Sequence, residues 1–165
     1  MSDFATYEQL AALDPTSTEV VGPEHLDLNG HMNISHYYTF GGRTMWSLNE
    51  TTLGMPDGYI AERGMTTFTA EQHLRFLAES HAGDELAMVA RAIDRGSRAL
   101  HLASVVLNTT RGQIACVTET LVVHVDFSTR RPVPFPDDVA AKIDAALADS
   151  ADLRLPISGA LGIRR

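Results

Sequence analysis

Only one cysteine, Cys116, occurs in 165 residues, so the chain has no internal disulfide framework and no thiolate zinc site. No apolar run approaches the ~18 residues that a membrane-spanning helix requires. Basic residues are few: 13 Lys and Arg stand against 21 Asp and Glu, a net charge of −8. That deficit argues against binding nucleic acid or an anionic membrane surface. It leaves room for a small anion held by a local group of arginines. The N-terminal "MSDFATYEQL" is acidic and lacks a signal-type apolar core, so a soluble, cytoplasmic protein is expected. Internal repeats, low-complexity tracts, and Walker or dinucleotide glycine loops are all missing. Apolar residues, at 44%, suffice for one core, and charged residues, at 21%, are too few for a disordered chain.

The pattern along the chain predicts a short helix over Tyr7 to Pro15 and a short strand in "TEVVGP" closed by Gly22-Pro23. From Ser35 to Gly54 the helical period places Tyr37, Phe40, Thr44, Met45 and Leu48 on one face, with Gly54 as C-cap. The pair Gly41-Gly42 is costly in a helix and is expected to let a sheet pack close. The period then changes. "GMTTFTAEQHLRFLAES", "DELAMVARAID", "RALHLASVVLNTT" and "QIACVTETLVVHVDFSTRR" read as long strands. The short glycine-bearing turns "SHAGDE", "DRGSR" and "TRGQ" predict antiparallel hairpins between them. "PVPFPDD" ends the sheet, and "DDVAAKIDAALADS" predicts a helix N-capped by Asp137 or Asp138. One helix against a long sheet leaves edges and a face to cover, which favours dimerisation.

The stretch "EHLDLNGHMNISHYY", Glu24 to Tyr38, carries more polar chemistry than a turn needs. A helix start offers free N–H groups and a positive dipole end. A carboxylate beside that end is stabilised as an anion and is available as nucleophile or base. Asp27, Gly30 and a helix beginning near Asn33 fit that logic, with Gly30 admitting close approach of a substrate carbonyl. The plainer alternative is that Asp27 or Asn29 only caps a turn. Asn33 reads as an N-cap or as a donor to substrate. His31 reads as a donor to a carbonyl or as a loop-holding residue, and His36 as a solvent or interface residue. No His-Glu-x-x-His or comparable spacing suggests a metal site, although His124 and Asp126 share a strand face.

The order strand, D-x-N-G-H-M-N loop, helix, long antiparallel strands resembles the hotdog-fold acyl-CoA thioesterases of the 4-hydroxybenzoyl-CoA thioesterase type, from about Val20 to about Asp138. "TAEQHLRF", "GDEL", "IDRGSRALH" and "ETLVVHVDFSTRRPVPFP" further resemble the subgroup that cleaves betainyl-CoA in carnitine breakdown. The resemblance implies an α+β hotdog fold, a long antiparallel sheet wrapped around one central helix. Residues 1–138 would form the hotdog domain with a short N-terminal helix, and 139–165 a C-terminal helix and tail of the same domain.

By position, the resemblance implies that Asp27 attacks the thioester carbonyl or activates water, and that the backbone N–H near Ile34 points at the carbonyl oxygen. His25 stands where the family often has a second aspartate. It also implies a dimer or tetramer with sites between subunits and the second strand near the site. Glu71 and His73, sharing a face with Arg75, are then expected to position water, the alternative being a solvated face. Tyr37, Tyr38 and Trp46 are expected to line an acyl pocket suited to a quaternary ammonium, the alternative being helix–sheet core. Arg95, Arg98, Arg130 and Arg131 are candidates for the CoA phosphates, though any single one reads better as a solvated surface arginine.

The expected function is hydrolysis of a short or medium, polar or cationic acyl-CoA. No metal or cofactor is expected beyond the CoA of the substrate, and no nucleic-acid or membrane partner. The rival readings are a non-catalytic acyl-CoA-binding hotdog subunit and a hotdog hydratase or dehydratase.

Overall fold

A computed structural model describes residues 4–163. Helix α1 (Tyr7–Ala11) is capped by Thr6, whose hydroxyl accepts from the Gln9 N–H. Strand β1 (Ser17–Val20) and a 3-10 turn (Pro23–His25) lead to the central helix α2 (Ile34–Thr51). A single-turn helix α3 (Tyr59–Arg63) follows, then β2 (Met65–Phe76), β3 (Glu85–Arg95), β4 (Ala99–Asn108), β5 (Gln113–Asp126) and α4 (Asp137–Asp149). All pairings are antiparallel, in the order β1-β3-β4-β5-β2. The sheet curls around α2, as the hotdog resemblance implies.

Three local expectations change. The β2–β3 link is no hairpin: β2 pairs with β5 at the sheet edge, and β3 pairs with β1 and β4. Eight residues, 77–84, make that crossover. They can span about 26 Å, against about 14 Å for three strand spacings, so length did not forbid it. The α4 N-cap is Pro136, without a side-chain cap bond; Asp137 and Asp138 occupy the first turn. Helix α2 ends at Thr51 with Thr52 as C-cap, and Gly54 takes its left-handed φ of 77° two residues later. Helix α3, one turn closed by left-handed Gly64, is too short to show a period.

The buried side of α2 is Tyr37, Phe40, Gly41, Thr44, Met45 and Leu48, the face the period predicts. It splits two core clusters. One joins the helix start to Val21, Met32, Leu86, Met88 and Val106. The other joins the helix end to α4 through Val139 and Ile143, with Leu100 and Leu102 beneath. The opposite sheet face is covered as well: Leu10 of α1 and Leu155 of the C-terminal tail pack on Ala103, Val105 and Val117. This is why β4 is buried continuously from Leu100 to Asn108 instead of in alternation.

Of the two helix glycines, only Gly41 meets the sheet. A Cβ there would lie 2.8 Å from Ser104 Oγ and 3.3 Å from Thr118 Oγ1, whereas at Gly42 nothing lies within 4 Å. Gly41→Ala therefore lifts α2 off β4 and β5. We expect a cost of about 1–3 kcal/mol, read as a lower Tm in thermal unfolding. An unchanged Tm would show that the close approach is unnecessary.

Candidate active site

The motif loop is a tight, closed structure. Leu26 and Met32 form an antiparallel bridge, and within it Asp27 N–H donates to His31 O at 2.9 Å and Gly30 N–H to Asp27 O at 3.1 Å. Gly30 has a φ of 78°, the left-handed conformation that favours glycine. Asp27 Oδ1 accepts the Asn29 N–H at 2.8 Å, an Asx turn. That backbone N–H holds the Asp27 carboxyl below its ordinary pKa. The same carboxylate therefore caps its turn and remains a half-buried anion. Asn33 has N-cap geometry: its Oδ1 accepts from Ser35 N–H at 2.9 Å and Ser35 Oγ at 2.8 Å.

Two hydrogen bonds aim the loop. Asn33 N–H donates to His25 O at 2.9 Å, and Met32 N–H donates to Ser80 O at 2.8 Å on the β2–β3 crossover. The crossover is itself anchored by buried Asp84, whose Oδ2 accepts from His81 N–H at 2.8 Å, Asn108 Nδ2 at 2.7 Å and Arg111 Nε at 2.7 Å. Between loop, helix start and crossover lies a hollow of about 390 Å³. Asp27, His31 and Ile34 line one wall, Tyr37 the floor, and Phe76, Leu77 and Glu79 the other wall. As the first residue of α2, Ile34 has no intrahelical acceptor for its N–H. No acidic residue of the first turn offsets the positive helix end.

Five of the expected residues, Asp27, His31, Ile34, Tyr37 and the turn glycine Gly30, thus belong to one place. Tyr37 is buried, its hydroxyl 3.5 Å from Ala78 O and its ring edge-on to Phe76 at 5.7 Å. Burial pushes its phenol pKa up, so the hydroxyl stays protonated. Tyr38 and Trp46 lie elsewhere on α2. Tyr38 is exposed, and Trp46 borders a separate small hollow beside Ile60 and Thr66.

Glu71 and His73 do not line the Asp27 hollow of the same chain. They fall on the sheet face away from α2. There His73 Nδ1 is 2.9 Å from Ser158 Oγ, and Ser158 N–H and Oγ both reach buried Glu119, at 2.7 and 2.5 Å. Arg75 donates to Pro156 O at 3.3 Å on the same face. The register of β2 opposite β5, His73 against Glu119, imposes this, and the tail that covers the face is distant in sequence. His124 and Asp126 also separate: His124 is buried between Tyr59 Oη at 2.9 Å and Val133 O at 3.0 Å, while Asp126 caps the turn at Ser128 and Thr129.

The arginines are likewise not at the Asp27 hollow of the same chain. Arg98 lies in the β3–β4 turn, and Arg130 and Arg131 follow β5, all at the opposite sheet end. Arg130, with a φ of 57°, stacks over Phe127 at 4.7 Å and Phe68 at 5.3 Å. Arg95 is held by Asp144 through paired bonds of 2.6 and 2.5 Å. The lining residues of the hollow that sequence reasoning missed are Phe76, Leu77 and Glu79. All three fall at the end of the segment that reads as the first long strand, where no spacing marks them as site residues.

The model of the thioesterase-like superfamily matches residues 21–143. Among curated relatives, a betainyl-CoA thioesterase of Pseudomonas aeruginosa is 27% identical over 140 residues, 85% of this chain and 86% of that protein. An L-carnitine dehydrogenase/betainyl-CoA thioesterase of Rhizobium meliloti is 28% identical over 131 residues, 79% of this chain. The match spans only 26% of that longer protein. A Staphylococcus aureus protein solved in complex with CoA superposes with a TM-score of 0.73 at 22% identity, covering 90% of this chain and 93% of that one. A 1,4-dihydroxy-2-naphthoyl-CoA thioesterase from Synechocystis gives 0.69 at 14% identity, covering 78% and 93%. The fold is the hotdog fold, and the chain belongs to the thioesterase-like superfamily.

Proposed function

We propose that this chain is an acyl-CoA thioesterase whose reactive group is the Asp27 carboxylate. The observation that carries the reading is the shared hollow: a carboxylate kept anionic by the Asn29 N–H faces the same space as the first residue of α2. Hydrolysis needs an anion to attack the thioester carbonyl, or to take a proton from water, and donors for the developing oxyanion. Asp27 supplies the first and the helix start at Ile34 the second. The CoA thiolate leaves, and water supplies the oxygen of the free acid. The reaction runs on the chain's own groups, with CoA entering as part of the substrate.

We further propose a compact, cationic acyl group of the betainyl kind. The name of the Pseudomonas aeruginosa relative supports this. So do the rings of Tyr37 and Phe76 beside the carboxylates of Asp27 and Glu79, a lining suited to a quaternary ammonium. Against an alkyl chain those polar groups would lose partners, at about 1–3 kcal/mol each. Free-thiol release with betainyl-, acetyl-, benzoyl- and palmitoyl-CoA tests both levels. The expected order puts betainyl-CoA first, and Asp27→Asn lowers turnover by about 10²-fold or more. Wild-type turnover in the variant removes Asp27 from the chemistry. A preference for palmitoyl-CoA overturns the cationic pocket alone, and no thiol release from any substrate favours the binding-subunit reading.

Only the anion of Asp27 serves this chemistry, and its pKa is lowered. A lowered pKa keeps the group charged to more acid pH. The acid limb of kcat/KM is therefore expected below the ordinary aspartate value of about 3.9. A limb near about 6.5 would assign the titration to a histidine instead.

We also propose that the working unit pairs two copies along β2. Its outer edge is free, and beside it Phe76 and Leu77 are exposed at 47% and 46%. Ile34, Tyr38 and Trp46 form an exposed stripe on α2, at 64%, 52% and 55%, with Gly42 open between Tyr38 and Trp46 at the intervening four-residue step. Strand β2 is 12 residues long, or roughly 35–40 Å from end to end. Antiparallel pairing about a two-fold axis brings the Arg98, Arg130 and Arg131 end of one copy beside the Asp27 hollow of the other. Those arginines can then meet the CoA phosphates. Sedimentation at micromolar concentration should give a dimer or larger. Trp46→Arg should shift it toward monomer and lower turnover with Asp27 intact. A fully active wild-type monomer would overturn the pairing.

A further inference from the structure

We infer that His31, Glu79 and His81 form a binding site for a divalent transition-metal ion, of which Zn²⁺ is the type, at the rim of the Asp27 hollow. Metal spacing along the chain is absent, yet the fold assembles the set from two segments: His31 from the motif loop, Glu79 and His81 from the β2–β3 crossover. One donor atom from each lies within 4.8 Å of the other two. His31 Nε2 is 3.2 Å from Glu79 Oε2, and the two imidazole rings meet edge-on at 4.9 Å. Ligands of a tetrahedral zinc ion lie about 2.0–2.2 Å from the metal, hence roughly 3.3–3.6 Å from one another, so the set has to draw in by about an ångström.

The surroundings fit a site as well as the donors do. Two neutral imidazoles and one carboxylate match the preference of Zn²⁺ and leave a fourth position for water. All three side chains are partly exposed, at 34%, 64% and 38%, so an ion can enter. His81 Nδ1 is buried, without a hydrogen-bond partner among the described residues, and 3.9 Å from Asp84 Oδ2. Ligation through Nε2 leaves that Nδ1–H facing a carboxylate, the arrangement that orients metal-bound histidines. Asp84 is itself clamped by Asn108 and Arg111, so the crossover presents His81 from a rigid base.

An ion at this rim takes the charge of Glu79 away from the hollow and places a dication near Asp27. Both effects oppose a cationic acyl group and a reactive carboxylate, so the ion inhibits. The site itself does not depend on the thioesterase reading, because binding is read without turnover. Untagged, chelator-treated protein is titrated with Co²⁺ followed by visible absorption, and with Zn²⁺ by calorimetry.

Wild type should bind one equivalent with the intense bands of four- or five-coordinate Co²⁺. His81→Ala and the exposed-site variant Glu79→Gln should each weaken binding by about tenfold or more. His36→Ala, which removes the other close histidine pair (His25 and His36, rings 4.7 Å apart), should bind as wild type does. In thiol release, Zn²⁺ should inhibit wild type more strongly than His81→Ala, whose metal-free rate equals that of wild type. The inference is overturned if wild type gives no such bands, if His81→Ala and Glu79→Gln both bind as wild type does, or if His36→Ala abolishes binding.

Discussion

The contact of Gly41 with the hydroxyl-bearing side chains of Ser104 and Thr118 determines how deep α2 lies in the curled sheet. The rest of the reactive end follows from that depth. The helix start, and with it Ile34, sits at the level of the strand ends, where the loop from Asp27 to Asn33 and the crossover from Leu77 to Asp84 meet. A side chain larger than hydrogen at Gly41 would have to displace Ser104 and Thr118 or lift the helix. A lifted helix would shift its first N–H groups relative to Asp27. Thr44, one turn on, reinforces the placement: its hydroxyl bonds back to Phe40 O at 2.7 Å and meets Ser17 Oγ of β1 at 2.9 Å.

The crossover explains why a short loop can be rigid enough for chemistry. Loops that carry function work best when a scaffold fixes them. Here Asp84 gathers three donors in the interior, and Ser80 O receives the Met32 N–H from the motif loop. Burial alone would push the Asp84 carboxyl up, but the hydrogen bonds, Arg111 foremost, bring it below its ordinary pKa and keep it charged. A structural carboxylate thus supports the segment that faces Asp27. Asp27 is half-buried and its pKa is lowered by a single backbone turn; Asp84 is buried and its charge is held by a network.

The two sheet faces have different tasks. The α2 face holds the core and the hollow. The other is closed by α1 and the tail, with Leu10 and Leu155 over Ala103 and Val105, and Glu119 buried beneath Ser158. His101 Nε2 lies 3.3 Å from Glu119 Oε2 there. An uncompensated buried carboxylate is expensive, so Ser158 and the flanking histidines account for the tail lying where it does. His73 and Arg75 of β2 therefore meet the tail on this face.

The sequence by itself determined the elements and the motif loop. The period from Ser35 onward marked the buried stripe of α2, the strands were legible in their Val- and Thr-rich runs, and D-x-N-G-H-M-N before a helix marked Asp27, Gly30 and Asn33. These are local facts, set by period, turn chemistry and helix capping within a few residues. Strand neighbours were not legible, because a turn-length segment such as "SHAGDE" can close a hairpin or cross the curled sheet equally well. Only the tertiary structure sent β2 to the far edge, put Glu79 and His81 beside His31, turned His73 toward the tail, and carried Arg98, Arg130 and Arg131 to the end opposite Asp27. Pairing order depends on which faces can be covered together, and that is a property of the whole chain.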